Sequence, residues 1–140
     1  MQRRTDNREY SKWRRDTLTR TTVDLIKLST QRSKYSSVYV HEFSSHKRFK
    51  NFDDQSGFNF SVSSLLATVA ICEAEQLYKE AQEILSLHQK CEESIRQFIS
   101  NNSIQNSPTR ADEVGKVLGY INKIEILHKS LIAETKKAMQ

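Results

Sequence analysis

Four histidines and two cysteines have the widest chemical repertoire in this 140-residue chain, and their spacing decides what they can do together. His41 and His46, in HEFSSH, invite comparison with the paired histidines of zinc proteases, but they stand five residues apart instead of four. On a helix that spacing turns one about 140° from the other, so the two do not face one metal. His88 and His128 lie on two separate helical seams. An antiparallel pairing of those seams about a loop centred near residue 104 sets them roughly 12 Å apart along the axis. On that spacing they do not converge, and each reads as a hydrogen-bonded core or rim histidine. Cys72 and Cys91, nineteen positions apart in one helical stretch, are too distant for a disulfide and read as buried, reduced thiols. No Gly-rich phosphate loop, G-x-S-x-G or Cys-x-x-Cys occurs. No residue is assigned a catalytic, metal-binding or cofactor-binding role, and a non-enzymatic chain is expected.

Binding chemistry is better represented. Of the net charge of +5, residues 1–50 hold +8, with 13 Lys/Arg against 5 Asp/Glu, and the remainder holds −3. Such asymmetry points to a polyanion, a membrane surface or an acidic partner for the N-terminal part. The candidate contacts are Arg4, Arg8, Lys12, Arg14, Arg15 and Arg20, with a second cluster at Lys47, Arg48 and Lys50. In YSKWRRDTLTR, residues 10–20, a Tyr and a Trp stand among four of these cations, as on surfaces that stack nucleic-acid bases. A helical projection separates the two types. Tyr10, Trp13, Thr17, Leu18, Thr21, Leu25 and Leu28 share one face, while Arg4, Arg8, Lys12 and Arg15 line the other. Tyr10 and Trp13 are therefore expected to anchor a core, leaving the cationic stripe for binding.

The elements that position these residues are helical. Three Gly, one Pro and 36% apolar residues favour an all-α fold in a single domain. The clearest pattern spans about 61–100. Within it Ala74, Leu77, Ala81, Ile84, His88, Cys91, Ile95 and Phe98 recur in steps of three and four. After the polar break SNNSIQNSPT, Ser107 is suited to cap a second helix and Pro108 to occupy its first turn. That helix, about 108–138, has the seam Val114, Val117, Ile121, Ile124, His128, Leu131 and Ala138. The two make a long antiparallel hairpin, and a basic amphipathic helix at about 6–29 packs against it. Residues 30–60 read as an irregular connection, with Phe49, Phe52, Phe58 and Phe60 plugging one end of the core. Gly115 and Gly119 suggest close approach of a neighbouring backbone. Leu66, Leu87, Leu118, Leu127 and Ile132 exceed what one seam covers, so they are candidates for a helix-packing interface with a partner or a second copy. VSSLLATVAIC is too short to span a bilayer, and the polar N-terminus lacks a signal-peptide core, so a cytoplasmic (or nuclear) protein is expected.

AEQLYKEAQEIL, with Tyr78, Glu80 and Ala81, and KVLGYINKIEILHKSL, with Lys116, Tyr120, Ile121, Lys123, Glu125 and Leu127, carry a family likeness. Over residues 61–135 the chain resembles MIT domains, the three-helix modules of microtubule-interacting and trafficking proteins, including the tandem modules of autophagy-initiating kinases. The resemblance implies a non-catalytic module that receives a partner's helix in an interhelical groove. The leading expectation is thus a helical protein-protein interaction module, adaptor or scaffold. The alternative is a small nucleic-acid-binding accessory protein that uses the basic N-terminal stripe.

Overall fold

A computed structural model describes residues 2–44, 56–100 and 107–140, with side chains over 6–41, 57–97 and 112–140. The chain is all-α. Among the described residues four helices follow one another: α1 (Gln2–Ser44), α2 (Ser56–Ile71), α3 (Glu75–Ser100) and α4 (Ser107–Ala138). No strand occurs among the described residues.

Partner residues run in opposite order along α1 and α4: Arg14 meets Ala138, Thr22 meets Thr135 and Ser29 meets His128. α3 and α4 are likewise antiparallel, since Glu80 meets Ser130 and Cys91 meets Val117. With α2 folded back on α3 by a tight turn, the helices run up, down, up and down. α1 packs on α2, α3 and α4, and the α3–α4 contact is the most extensive.

The hairpin seams are buried as their spacing predicts. Leu77, Ala81, Ile84, His88, Cys91 and Ile95 of α3 face Val117, Ile121, Ile124, His128 and Leu131 of α4 inside one core. Phe98 lies outside the described side chains. α4 begins at Ser107 with Pro108 in its first turn, and Lys136 and Lys137 close it where cations complement the helix dipole.

Two expectations about element boundaries are corrected. The stretch 61–100 is two helices, not one. Glu73 adopts φ 58°, and its N–H donates to Ala70 O (3.0 Å) while the Ala74 N–H donates to Val69 O (3.4 Å). Those bonds form a Schellman cap at the end of α2, built on a Glu where a Gly is usual, so no glycine marks the break in the sequence.

The basic helix also extends far beyond 6–29. α1 has 43 residues, about 65 Å at 1.5 Å per residue, and takes in 30–44, while α2 takes in 56–60. Residues 30–44 are not irregular, because Leu18, Thr22, Leu25, Ser29, Ser33, Ser36 and Val40 form one buried seam in steps of three and four. Its serines are small enough for close packing, but they disguise the apolar periodicity. Phe58 packs edge-on against the His88 ring (4.9 Å between centroids), whereas Phe60 is exposed. Phe49 and Phe52 fall outside the described residues.

Candidate partner-binding surfaces

Several polar residues inside the bundle hold its helices together. Ser29 Oγ lies 2.7 Å from His88 Nε2 and 2.6 Å from His128 Nε2, so the two histidines converge on one hydroxyl, contrary to the axial estimate. A helical side chain leans toward its helix's N-terminus. In an antiparallel pair those two directions meet, which closes the axial gap. The serine hydroxyl donates to one imidazole, and the other imidazole donates to the serine oxygen.

Burial pushes His88 down to about 3, with His128 and Arg32 adding to the shift. Burial lowers His128 too, against the opposing pull of Glu125. Both rings are therefore neutral at neutral pH. Thr22 and Thr135 share a 2.8 Å bond between α1 and α4, and Ser130 donates to Glu80 at 2.6 Å between α4 and α3. Cys72 and Cys91 are free and buried. Burial raises both thiols, Cys91 to about 12, against weaker opposing pulls from Arg14 and Arg32 respectively, and leaves them protonated and unreactive. No cluster of three metal-ligating side chains occurs among the described residues. No described helix is long and apolar enough to cross a membrane.

The candidate cations do not act as one group. Arg14 turns inward. Its Nε donates to Cys72 O (2.8 Å) and its Nη1 to Ala138 O (2.5 Å), tying the C-terminal ends of α2 and α4 to α1. Those carbonyls carry the negative end of two helix dipoles, and the guanidinium fork serves both. The Arg14 guanidinium is thereby engaged within the bundle and is not presented to a polyanion. Arg8, Lys12, Arg15 and Arg20 are exposed. Arg4 lies in the first turn of α1, outside the described side chains, and Lys47, Arg48 and Lys50 lie outside the described residues.

Tyr10 and Trp13 do not anchor the core. They are 48% and 44% exposed and stack on each other, with ring centroids 5.9 Å apart and planes tilted by 32°. The projected face continues that of Thr17 and Thr21, but α2 and α4 end level with Arg14, so no described helix is left for it to meet. Every side chain from Asp6 to Trp13 is exposed.

Of the five apolar candidates, Leu66 and Leu87 belong to the core. Leu118 and Leu127 are half-buried against it, and Ile132 is exposed. A two-helix seam would have left them bare, whereas four helices supply the missing walls. Gly115 and Gly119 lie on the outer side of α4 with open space where a Cβ would stand, so no backbone approaches them.

A groove of about 600 Å³ runs between α2 and α3 over Leu66, Ala67, Ala70, Tyr78 and Leu85, with Gln82 on its rim. Ala70 and Tyr78 also line an adjoining hollow of about 310 Å³ that ends on Glu73 and Glu75. Alanines at 67 and 70 facing Tyr78 create this channel. With no Gly or Pro between them, α2 and α3 merge into one pattern in the sequence, which conceals the channel. Comparison with family models, with curated proteins and with solved structures gives no match to this chain.

Proposed function

We propose that this chain is a non-enzymatic helical protein-protein interaction module, an adaptor or scaffold, that takes an amphipathic helix into the α2–α3 groove. The observation that carries the reading is the groove itself, a channel open to solvent with an apolar floor at Leu66, Ala70 and Leu85 and a polar rim. An apolar helix face spaced i, i+3, i+4 and i+7 fits such a channel. The resemblance of residues 61–135 to MIT modules supports the same reading.

The test is selection from a displayed library of amphipathic helical peptides, followed by titration against the unmodified chain and against Ala67→Arg and Ala70→Arg. Enriched peptides should share the helical spacing of apolar residues, and both arginines should abolish their binding with the melting temperature retained. Binding indifferent to both substitutions, or no enrichment at all, would contradict the reading.

A second reading has its own observation. The exposed Tyr10–Trp13 stack, on a helix that also carries Arg8, Lys12, Arg15 and Arg20, suits single-stranded nucleic acid. Under it, reversing Arg8, Lys12 and Arg15 to Glu abolishes nucleic-acid binding, and binding by the unmodified chain falls steeply with salt. Under the adaptor reading nucleic acid binds weakly, and the same reversal slows association with an acidic partner, chiefly at low salt.

A further inference from the structure

We propose that the part of α1 lying beyond the bundle, residues 2–13, is a self-association arm that pairs antiparallel with the same arm of a second copy. The inference stands apart from the central groove between Leu66 and Leu85, which stays open in the pair.

The first support is continuity with an interface already built. Tyr10 projects on the same face of α1 as Arg14, Thr17, Thr21 and Leu25, all of which meet the other helices. That face continues past Arg14 into the arm with two large aromatics and no covering helix. Ile71, at the end of α2 that Arg14 ties down through the neighbouring Cys72 carbonyl, is 66% exposed at the same end of the bundle. From Gln2 to Trp13 the helix runs about 18 Å past the ends of α2 and α4, at 1.5 Å per residue. A second arm fills the step this leaves beneath α2. In a two-fold pair each copy fills the other's, so the contact closes and does not propagate.

The second support is electrostatic. The first turn of α1 contains no acid, although it is the positive end of a helix dipole, and it contains Arg3 and Arg4. The last turn of α2 contains no base, although it is a negative end, and Glu73 and Glu75 follow it. The first turn of α1 thus carries charge that its own dipole disfavours, while the end of α2, which Arg14 already caps, exposes an acidic pair, Glu73 and Glu75, the latter opening α3. An arm antiparallel to its neighbour runs in the direction of α2, so its basic N-terminus abuts the end of α2 where Glu73 and Glu75 are exposed. The position beneath α4 is disfavoured, because Lys136 and Lys137 occupy its last turn. Arg8, Lys12 and Arg15 lie on the opposite face of the arm and point away from the pair, so their like charges do not oppose it.

Sedimentation equilibrium of the full chain tests this. A reversible dimer is expected, and Tyr10→Ser with Trp13→Ser should make the chain monomeric with its helical circular dichroism intact. Arg3→Glu with Arg4→Glu should weaken the dimer about tenfold or more, as should Glu73→Lys with Glu75→Lys. Mixing those two charge variants should restore a heterodimer, because each reversed arm then meets a reversed α2 end. A chain that stays monomeric at high concentration would overturn the proposal, as would a dimer that survives the loss of both aromatics. Single-stranded nucleic acid held by Tyr10 and Trp13 on a monomeric chain would overturn it in favour of the second reading above.

Discussion

α1 presents one face to two environments. From Arg14 to Val40 that face lies against three other helices, and Leu18, Leu25, Ser29 and Val40 are sealed from solvent. From Asp6 to Trp13 the same helix is exposed all round, although Tyr10 and Trp13 are its largest apolar side chains in the N-terminal half. Periodicity decides which residues share a face, but the lengths of neighbouring helices decide how much of that face is covered. A 43-residue helix outruns helices of 16, 26 and 32 residues, and the surplus falls at the N-terminus because Arg14 ties α1 to the ends of α2 and α4.

The sharpest contrast comes from placing a carboxylate on the two stretches in turn. Leu25→Asp buries an unpaired charge in a dry contact and should cost about 4 kcal/mol or more, enough to unfold the protein at ambient temperature. Tyr10→Asp, on the same face about four turns upstream, should leave the melting temperature of dilute protein unchanged. Thermal melts of the two variants check this, and comparable losses would erase the distinction between the regions.

Acid should act on the covered stretch next. His88 has a folded value of about 3 against an ordinary 6.5. The unfolded chain thus binds more protons between those values. Stability from the neutral ring is fully present above pH 6.5 and is lost as pH falls toward 3, by on the order of 4 to 5 kcal/mol at the limit. Denaturant titrations across that window should show the decline, and His88→Gln should flatten it. An unchanged acid limb in that variant would remove His88 as its source.

Arg14 marks the border between the stretches. Arg14→Ala leaves the carbonyls of Cys72 and Ala138 without their cationic donor and should cost about 2 kcal/mol, with Arg14→Lys recovering only part because an ammonium is not a fork. A loss within a few tenths of a kcal/mol would mean that the border is set elsewhere. The smallest effects are gains. Glu73→Gly relieves a left-handed backbone, and Gly115→Ala and Gly119→Ala fill open space on a helix. Each should add up to about 1 kcal/mol in a thermal melt.

The hairpin of α3 and α4 was legible because its core positions are aliphatic and recur for many turns. α1 was legible only as far as its leucines reach. Beyond Leu28 the seam passes to Ser29, Ser33 and Ser36, residues that read as loop yet pack closely and, in Ser29, link two helices. The turn at Glu73 carried no Gly or Pro, and that hid both the α2–α3 boundary and the groove between the two helices. Arg8, Lys12 and Arg15 are exposed, but no pattern in the sequence shows that Arg14 reaches two helix ends. Tyr10 and Trp13 were assigned to the correct face and the wrong environment, since exposure there depends on where α2 and α4 stop.

Amide hydrogen exchange along α1, followed as a function of protein concentration, bears most directly on the claim that one face serves the bundle and then a second copy. Amides of residues 17–40 should be protected at every concentration. Amides of residues 6–13, in a helical stretch too short to persist unsupported, should exchange freely in dilute protein and become protected as dimers form. Fast exchange at 6–13 that does not change with concentration, or exchange at 17–40 as fast as in the arm, would contradict it.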